Sequence, residues 1–264
     1  MENNVSPQDL CLSFLQTDLA WEAPAENLQR CEQRLRDVAN SRLIVLPEMF
    51  TTGFTMNPAS VAQTMDGEAV RWMRRTAAAK GADVVGSVVI EEGGKYFNRL
   101  IWAKADGGLQ HYDKKHLFTF AGEDKHYSPG QQPLIVPIQG WNVATFICFD
   151  LRFPAWSRNL DGKYDLALYI ASWPERRAKH WQALLQARAI ENQAYVLGVN
   201  RVGVDGNGIS YSGDSMLIDP LGEVLFHQSH QECLHSATLS RSLLDEVRSK
   251  FPFLKEADRF VFSA

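Results

Sequence analysis

Cys148, Glu48 and Lys114 each stand at or just past a strand-like run, and together they offer a nucleophile, a base and a cation. Cys148 closes an apolar strand in Thr145-Phe-Ile-Cys-Phe-Asp-Leu-Arg-Phe-Pro154. A thiol on a sharp turn out of a strand projects above the sheet, where backbone N–H groups can stabilise an oxyanion. The sequence predicts a turn there into a helix opened by Pro154. The alternative is an inert buried cysteine, a common fate of that residue. Glu48 follows Leu43-Ile-Val-Leu-Pro47, beyond a strand apolar on both faces, and a half-buried glutamate there can act as a base. Taken alone it reads as an exposed loop residue. Lys114 ends Leu109-Gln-His-Tyr-Asp-Lys114, and a lysine beside a thiol is expected to lower the thiol's pKa and favour the thiolate. On its own it reads as a surface cation. His116, two residues on, is the other candidate base and gives a Cys-His reading.

Other signals carry less. Gly203-Val-Asp-Gly206-Asn-Gly208 precedes a strand and reads as a hairpin turn, not a dinucleotide fingerprint. The histidines lack metal-ligand spacing, so no metal is expected. Arg188 and Glu191, three apart on a helix, read as a scaffold pair.

The elements that must position these residues alternate. Strands are expected at 10–16, 43–46, 83–91, 95–105, 109–114, 134–138, 141–148, 165–172, 195–202, 210–218, 224–227 and 233–239, with an irregular stretch over 116–130. Helices are expected after Pro24, between Asp66 and Gly81, over 176–193 and over 242–250. Interleaved helices, hairpins and buried strands argue for one α/β domain with a mixed sheet or two sheets.

Composition excludes several classes. Hydrophobic residues make up 45% and charged residues 22%, which fits a soluble globular protein and not a disordered or coiled-coil chain. The net charge of -4 and the lack of a basic stripe argue against nucleic acid. Apolar runs fall far short of a membrane span. The opening Met1-Glu-Asn-Asn4 has no signal-peptide pattern, and four scattered cysteines fit a reducing compartment, so a cytoplasmic protein is expected.

Several ordered motifs together resemble the nitrilase superfamily of carbon-nitrogen hydrolases. They are Leu-Pro-Glu48, Tyr-Asp-Lys114-Lys-His-Leu-Phe, Gly122-Glu123, Ile-Cys148-Phe-Asp-Leu-Arg-Phe-Pro and the Ala-Arg-Ala-Ile-Glu-Asn-Gln helix. The resemblance implies a single-domain four-layer αββα sandwich over residues 8–251, with 252–264 as a C-terminal tail. It implies a catalytic triad of Glu48, Lys114 and Cys148, with Glu123 as a second glutamate beside it and no cofactor. The segments Pro47-Glu-Met-Phe-Thr-Thr-Gly-Phe-Thr-Met56, Gly122-Glu-Asp-Lys-His-Tyr-Ser-Pro-Gly130 and Ala171-Ser-Trp-Pro174 are similar to the bacterial ω-amidase branch. That branch hydrolyses terminal amides of ω-amido dicarboxylates such as 2-oxoglutaramate through a cysteine thioester. The small-molecule amide would then meet the backbone N–H of Phe149 and apolar walls at Trp173 and Phe118. Arg176, Arg177 and Arg201 are candidate partners for its carboxylate. A homodimer is also implied. N-carbamoyl or nitrile hydrolysis, or a non-catalytic binding module, are the other expectations the scaffold allows.

Overall fold

In the computed structural model, which describes residues 9–261, alternate residues of each early strand face two different cores. Gln8, where the expected domain begins, lies outside the described residues, as do Met1–Asn4 and residues 262–264 of the expected tail. The first sheet contains β1 (Leu10–Gln16), β2 (Leu43–Val45), β3 (Asp83–Glu92), β4 (Lys95–Ala103) and β5 (Leu109–Asp113). The second contains β6 (Leu134–Ile138), β7 (Trp141–Ile147), β8 (Leu166–Ala171), β9 (Tyr195–Asn200), β10 (Val202–Val204), β11 (Ser210–Ile218) and β12 (Val224–Ser229). β13 (Cys233–Leu239) returns to pair with β1 and makes the first sheet 6-stranded, in the order β13-β1-β2-β3-β4-β5. The second is 7-stranded, in the order β10-β11-β9-β8-β7-β6, with β12 on β11.

Leu43 and Val45 join Leu12, Phe14, Tyr112, Val143 and Leu168 in the core between the sheets. Ile44, between them, joins the core beneath α1 (Pro24–Arg34) and α3 (Glu68–Lys80). A period of two therefore faces every second residue to each core, which explains why the run is apolar throughout. Val70, Met73 and Ala77 recur at helical spacing and bury that face of α3. The helix ends where Gly81 adopts φ 60° and its N–H returns to the last carbonyls. α4 (Ala178–Asn192) covers the outer face of the second sheet with Trp181, Leu185 and Ala189. These layers make the αββα sandwich. α5 (Arg241–Lys250) adds Leu244 to the central core and ties Arg241 and Arg248 to Asp165, just before β8. A four-residue helix, α2 (Pro58–Val61), had no clear signal in the sequence.

Strand direction gathers the functional residues. β1, β2 and β3 pair in parallel, as do β7, β8 and β9. β5 is antiparallel to β4, itself antiparallel to β3, so β5 ends at the same edge as β2. Glu48, Lys114, Cys148 and Ser172 all lie past carboxyl ends of strands, where ligand sites of open α/β sheets collect.

The helix expected from Pro154 does not form. Instead a 3₁₀ turn spans Cys148–Arg152, followed by turns through Ser157. The backbone past Pro154 is held by other partners: the Ser157 carbonyl accepts the Tyr164 hydroxyl at 2.5 Å, and the Asn159 N–H donates to Asn192 Oδ1 at 2.9 Å. A chain whose carbonyls and amides are already engaged this way has no helical ladder to propagate.

Candidate active site

The Cys148 backbone is in the left-handed region at φ 46°, which costs a non-glycine residue about 1–2 kcal/mol. Asp150 sustains that turn. Its buried carboxylate accepts the Ile147 N–H, the Tyr112 hydroxyl at 2.7 Å, the His116 N–H at 3.0 Å and a bond with His116 Nδ1 at 2.8 Å. One carboxylate thus joins the turn bearing Cys148 to the segment following Lys114.

His116 is consequently committed elsewhere. Its ring bonds Asp150 and stacks on Phe153 with centroids 3.8 Å apart. These contacts make it part of the scaffold and leave the Cys-His arrangement without a geometric basis.

Glu48, Lys114 and Glu123 are fully buried and bonded to one another. Lys114 Nζ donates to Glu48 Oε1 at 2.9 Å and to both oxygens of Glu123 at 3.0 and 2.9 Å. Glu48 Oε2 accepts the Ser172 backbone N–H at 2.7 Å, and Glu123 Oε2 accepts that of Phe118 at 2.5 Å. Lys114 Nζ also sits 5.0 Å from the centre of the Phe54 ring. Every strong charge here is paired and hydrogen-bonded, as burial demands.

Counted with both carboxylates ionised and Lys114 as the ammonium, the buried cluster carries one net negative charge. Burial alone would favour loss of the Lys114 proton; Glu123 and then Glu48 outweigh it and hold the ammonium above the ordinary lysine value. Burial raises the Glu123 carboxyl, Lys114 pulls it down, and Glu48 adds to the rise. Burial, and then the Glu48 charge, push the Cys148 thiol well above its usual value against the pull of Lys114. This reverses the direction expected from a neighbouring lysine. Desolvation disfavours the thiolate more than one already-paired cation favours it. The thiol therefore rests neutral, and Glu48 beside it is the group placed to receive its proton.

Cys148 opens onto a cavity of about 630 Å³. Phe149, Trp173 and Phe118 line it, as do Arg176 and Arg177. Arg201 does not; it is fully buried and bonded to Asp18 at 2.7 Å. Arg188 pairs with Glu191 at 2.9 Å and with the Leu151 carbonyl, a scaffold role. The expected hairpin forms, but its turn spans 205–209 between β10 and β11, and Gly203 pairs with Tyr211 inside β10.

Two functional contributors escaped sequence reasoning. Asn98, inside β4 and fully buried, donates from Nδ2 to Glu48 Oε1 at 2.7 Å and approaches Glu123 Oε1 at 3.5 Å. An asparagine inside a strand is unusual, and that was its one available signal. The Ser172 N–H carries no side-chain signal at all, because any residue supplies it.

The carbon-nitrogen hydrolase family model matches residues 12–249. The chain belongs to that family. It is 46% identical over 252 residues to ω-amidase YafV of Escherichia coli strain K12, covering 95% of this chain and 98% of that one. It is 32% identical over 246 residues to 2-oxoglutaramate amidase of Bacillus subtilis strain 168, covering 91% and 95%. Among solved structures, XC1258 from Xanthomonas campestris superposes with a TM-score of 0.95 at 43% identity, covering 97% of this chain and all of that one. That structure is described as a CN-hydrolase superfamily protein with an arsenic adduct in the active site. Nit3 of Saccharomyces cerevisiae, at 22% identity and a TM-score of 0.84 over 93% and 95% of the chains, shares the fold. As a carbon-nitrogen hydrolase, the chain acts on carbon-nitrogen bonds.

Proposed function

We propose that this hydrolase is an ω-amidase that cleaves the terminal amide of an ω-amido carboxylate such as 2-oxoglutaramate to the dicarboxylate and ammonia. The observation that carries the reading is the buried Glu48–Lys114–Glu123 cluster beside the Cys148 thiol, whose backbone holds φ 46°. The names of the YafV and 2-oxoglutaramate amidase relatives supply the substrate class.

Glu48 takes the Cys148 proton as sulfur attacks the amide carbonyl, so the negative charge lost from the cluster reappears on the carbonyl oxygen and the site's total charge is unchanged as the S–C bond forms. The Lys114 ammonium and the Phe149 N–H hold the developing oxyanion. Glu48 then protonates the departing nitrogen, ammonia leaves, and a thioester remains. Glu48 next removes a proton from water, whose oxygen attacks the thioester; the carboxylic acid leaves and the thiol is restored. Glu123 orients Lys114 throughout, while Trp173 and Phe118 confine the chain of the substrate. No step requires a cofactor.

We place the enzyme in the cytoplasm as a homodimer. Free thiols at Cys11, Cys31, Cys148 and Cys233 support a reducing compartment. Among the described residues no helix is long and apolar enough to cross a membrane. Exposed Ile190, Leu221, Val224 and Leu225 support an apolar twofold contact beside α4, to be tested by sedimentation equilibrium.

The deciding experiment measures ammonia release from 2-oxoglutaramate, succinamate and a plain nitrile, with wild type and Cys148→Ala in parallel. Fast release from the two amides alone, abolished in Cys148→Ala, is expected. Nitrile turnover with silent amides, or full activity in Cys148→Ala, would overturn the reading.

A further inference from the structure

The six residues after β8 touch the site at three points. Ser172 holds Glu48 through its N–H. Trp173 lines the cavity while its own N–H donates to Asn200 Oδ1 at 2.8 Å. Arg177 sits on the 3₁₀ turn Glu175–Arg177 leading into α4. That turn is pinned, because Trp173 Nε1 donates to the Arg177 carbonyl at 2.9 Å and the Arg177 N–H donates to the Pro174 carbonyl at 2.9 Å. The guanidinium carbon lies 5.2 Å from the centre of the Phe118 ring, whose residue also holds Glu123.

Arg177 is surrounded by charge of its own sign. Arg152 and Arg176 line the same cavity. Burial, and then the Arg176 charge, make the Arg177 guanidinium easier to deprotonate than an ordinary arginine. Among the described residues its guanidinium makes no hydrogen bond and no ion pair. The acidic groups on this cavity are already engaged. Glu22 accepts the Thr55 hydroxyl, and Asp205 accepts the Asn207 and Ile209 N–H groups and the Tyr211 hydroxyl. Arg201 is bonded to Asp18 and to the Leu19 and Val202 carbonyls. Arg152 is half-committed, bonding His180 Nδ1 at 3.1 Å and lying over Trp173. A guanidinium has five donors and no acceptor, and a carboxylate matches its planar fork.

The geometry points to Arg177 as the residue that binds the carboxylate of the substrate and so sets specificity. The substrate is then a short amide with an anionic carboxylate at the end opposite the scissile bond and its hydrocarbon stretch against Phe118. This assignment rests on the acyl-transfer reading of Cys148.

Succinamate and butyramide test it, since they differ only in a carboxylate against a methyl group. The ratio of kcat/KM for succinamate over butyramide should fall about 30- to 100-fold in Arg177→Met, the scale of one charge-assisted contact. Arg177→Lys should recover part of it, because an ammonium supplies charge without the fork. Arg176→Met should lower it less than fivefold. A ratio retained in Arg177→Met, or collapsed in Arg176→Met instead, overturns the assignment. Calorimetry of succinate binding to Cys148→Ala, with and without Arg177→Met, separates the two claims. If wild type hydrolyses neither amide but succinate binding depends on Arg177, the ω-amidase reading fails while Arg177 remains a carboxylate-binding residue. If succinamate turns over and succinate binding ignores Arg177, the assignment alone fails.

Discussion

Asp150→Asn is the sharpest test of how the nucleophile is held. The carboxylate accepts four bonds: Tyr112 and Ile147 on Oδ2, and the His116 N–H and Nδ1 on Oδ1. An asparagine has one oxygen, so its NH₂ must face one of these pairs. Turned toward Oδ2's partners it meets two donors that cannot yield. The Ile147 N–H is fixed, and the Tyr112 hydroxyl already accepts from Trp156 Nε1 at 3.0 Å and from the Lys115 N–H at 3.2 Å. Turned toward His116 it can donate to Nδ1 after a tautomer change, but it orphans the His116 N–H. The second arrangement is cheaper. One orphaned buried donor costs about 1–3 kcal/mol, and two bonds falling from a charged to a neutral acceptor cost about 1 kcal/mol each. The sum is about 3–5 kcal/mol, a large share of the roughly 5–15 kcal/mol typical of a domain. Urea unfolding should show a lower midpoint at unchanged slope, and kcat should fall because the Ile147–Asp150 bond spans Cys148. A wild-type midpoint in Asp150→Asn would refute the reasoning. So would an equal loss in a variant altered only at the exposed Asp124.

Three further outcomes are expected. Lys114→Met should abolish turnover and cost about 3–5 kcal/mol at pH 7, because it leaves two buried carboxylates without a counter-charge. One of those carboxyls would titrate above its unfolded value, so the deficit in urea unfolding should shrink as pH falls toward 5 and persist at higher pH. Glu48→Gln should abolish turnover yet move the pH profile of Cys148 alkylation by iodoacetamide downward, since Glu48 helps push the thiol up; an upward move would contradict that electrostatic reading. Asn98→Ala removes the 2.7 Å bond to Glu48 and should lower kcat about 10- to 100-fold in steady-state assays, with KM changing less.

What the sequence made legible follows from which interactions are local. The expected 10–16, 134–138, 210–218 and 233–239 strands coincide with β1, β6, β11 and β13, because alternation and turn residues are written into adjacent positions. The run Leu43–Leu46 announced a strand buried on both faces, and Glu48 just past it ended in the cluster. Pro154 misled because proline favours the first turn of a helix on local grounds, whereas Tyr164 and Asn192 claim the Ser157 carbonyl and the Asn159 N–H that such a helix would use. Asn98 was hidden for a related reason. Its role exists because β4 carries it beneath Glu48, 50 residues away in sequence.

The direction of the Cys148 thiol shows why residue types alone do not fix reactivity. Lys114 would favour a thiolate if it faced sulfur unpaired, but its Nζ is bonded to both Glu48 and Glu123. What remains at the thiol is burial and a net negative cluster, and both oppose ionisation. Releasing the thiol proton to solvent would take the cluster and sulfur from one net negative charge to two in a dry site. Passing it to Glu48 keeps the count at one. In the proposed mechanism the same arrangement that silences the resting thiol therefore makes its activation a transfer within the site, and the second glutamate, by holding Lys114 and adding its charge, is what makes the two inseparable.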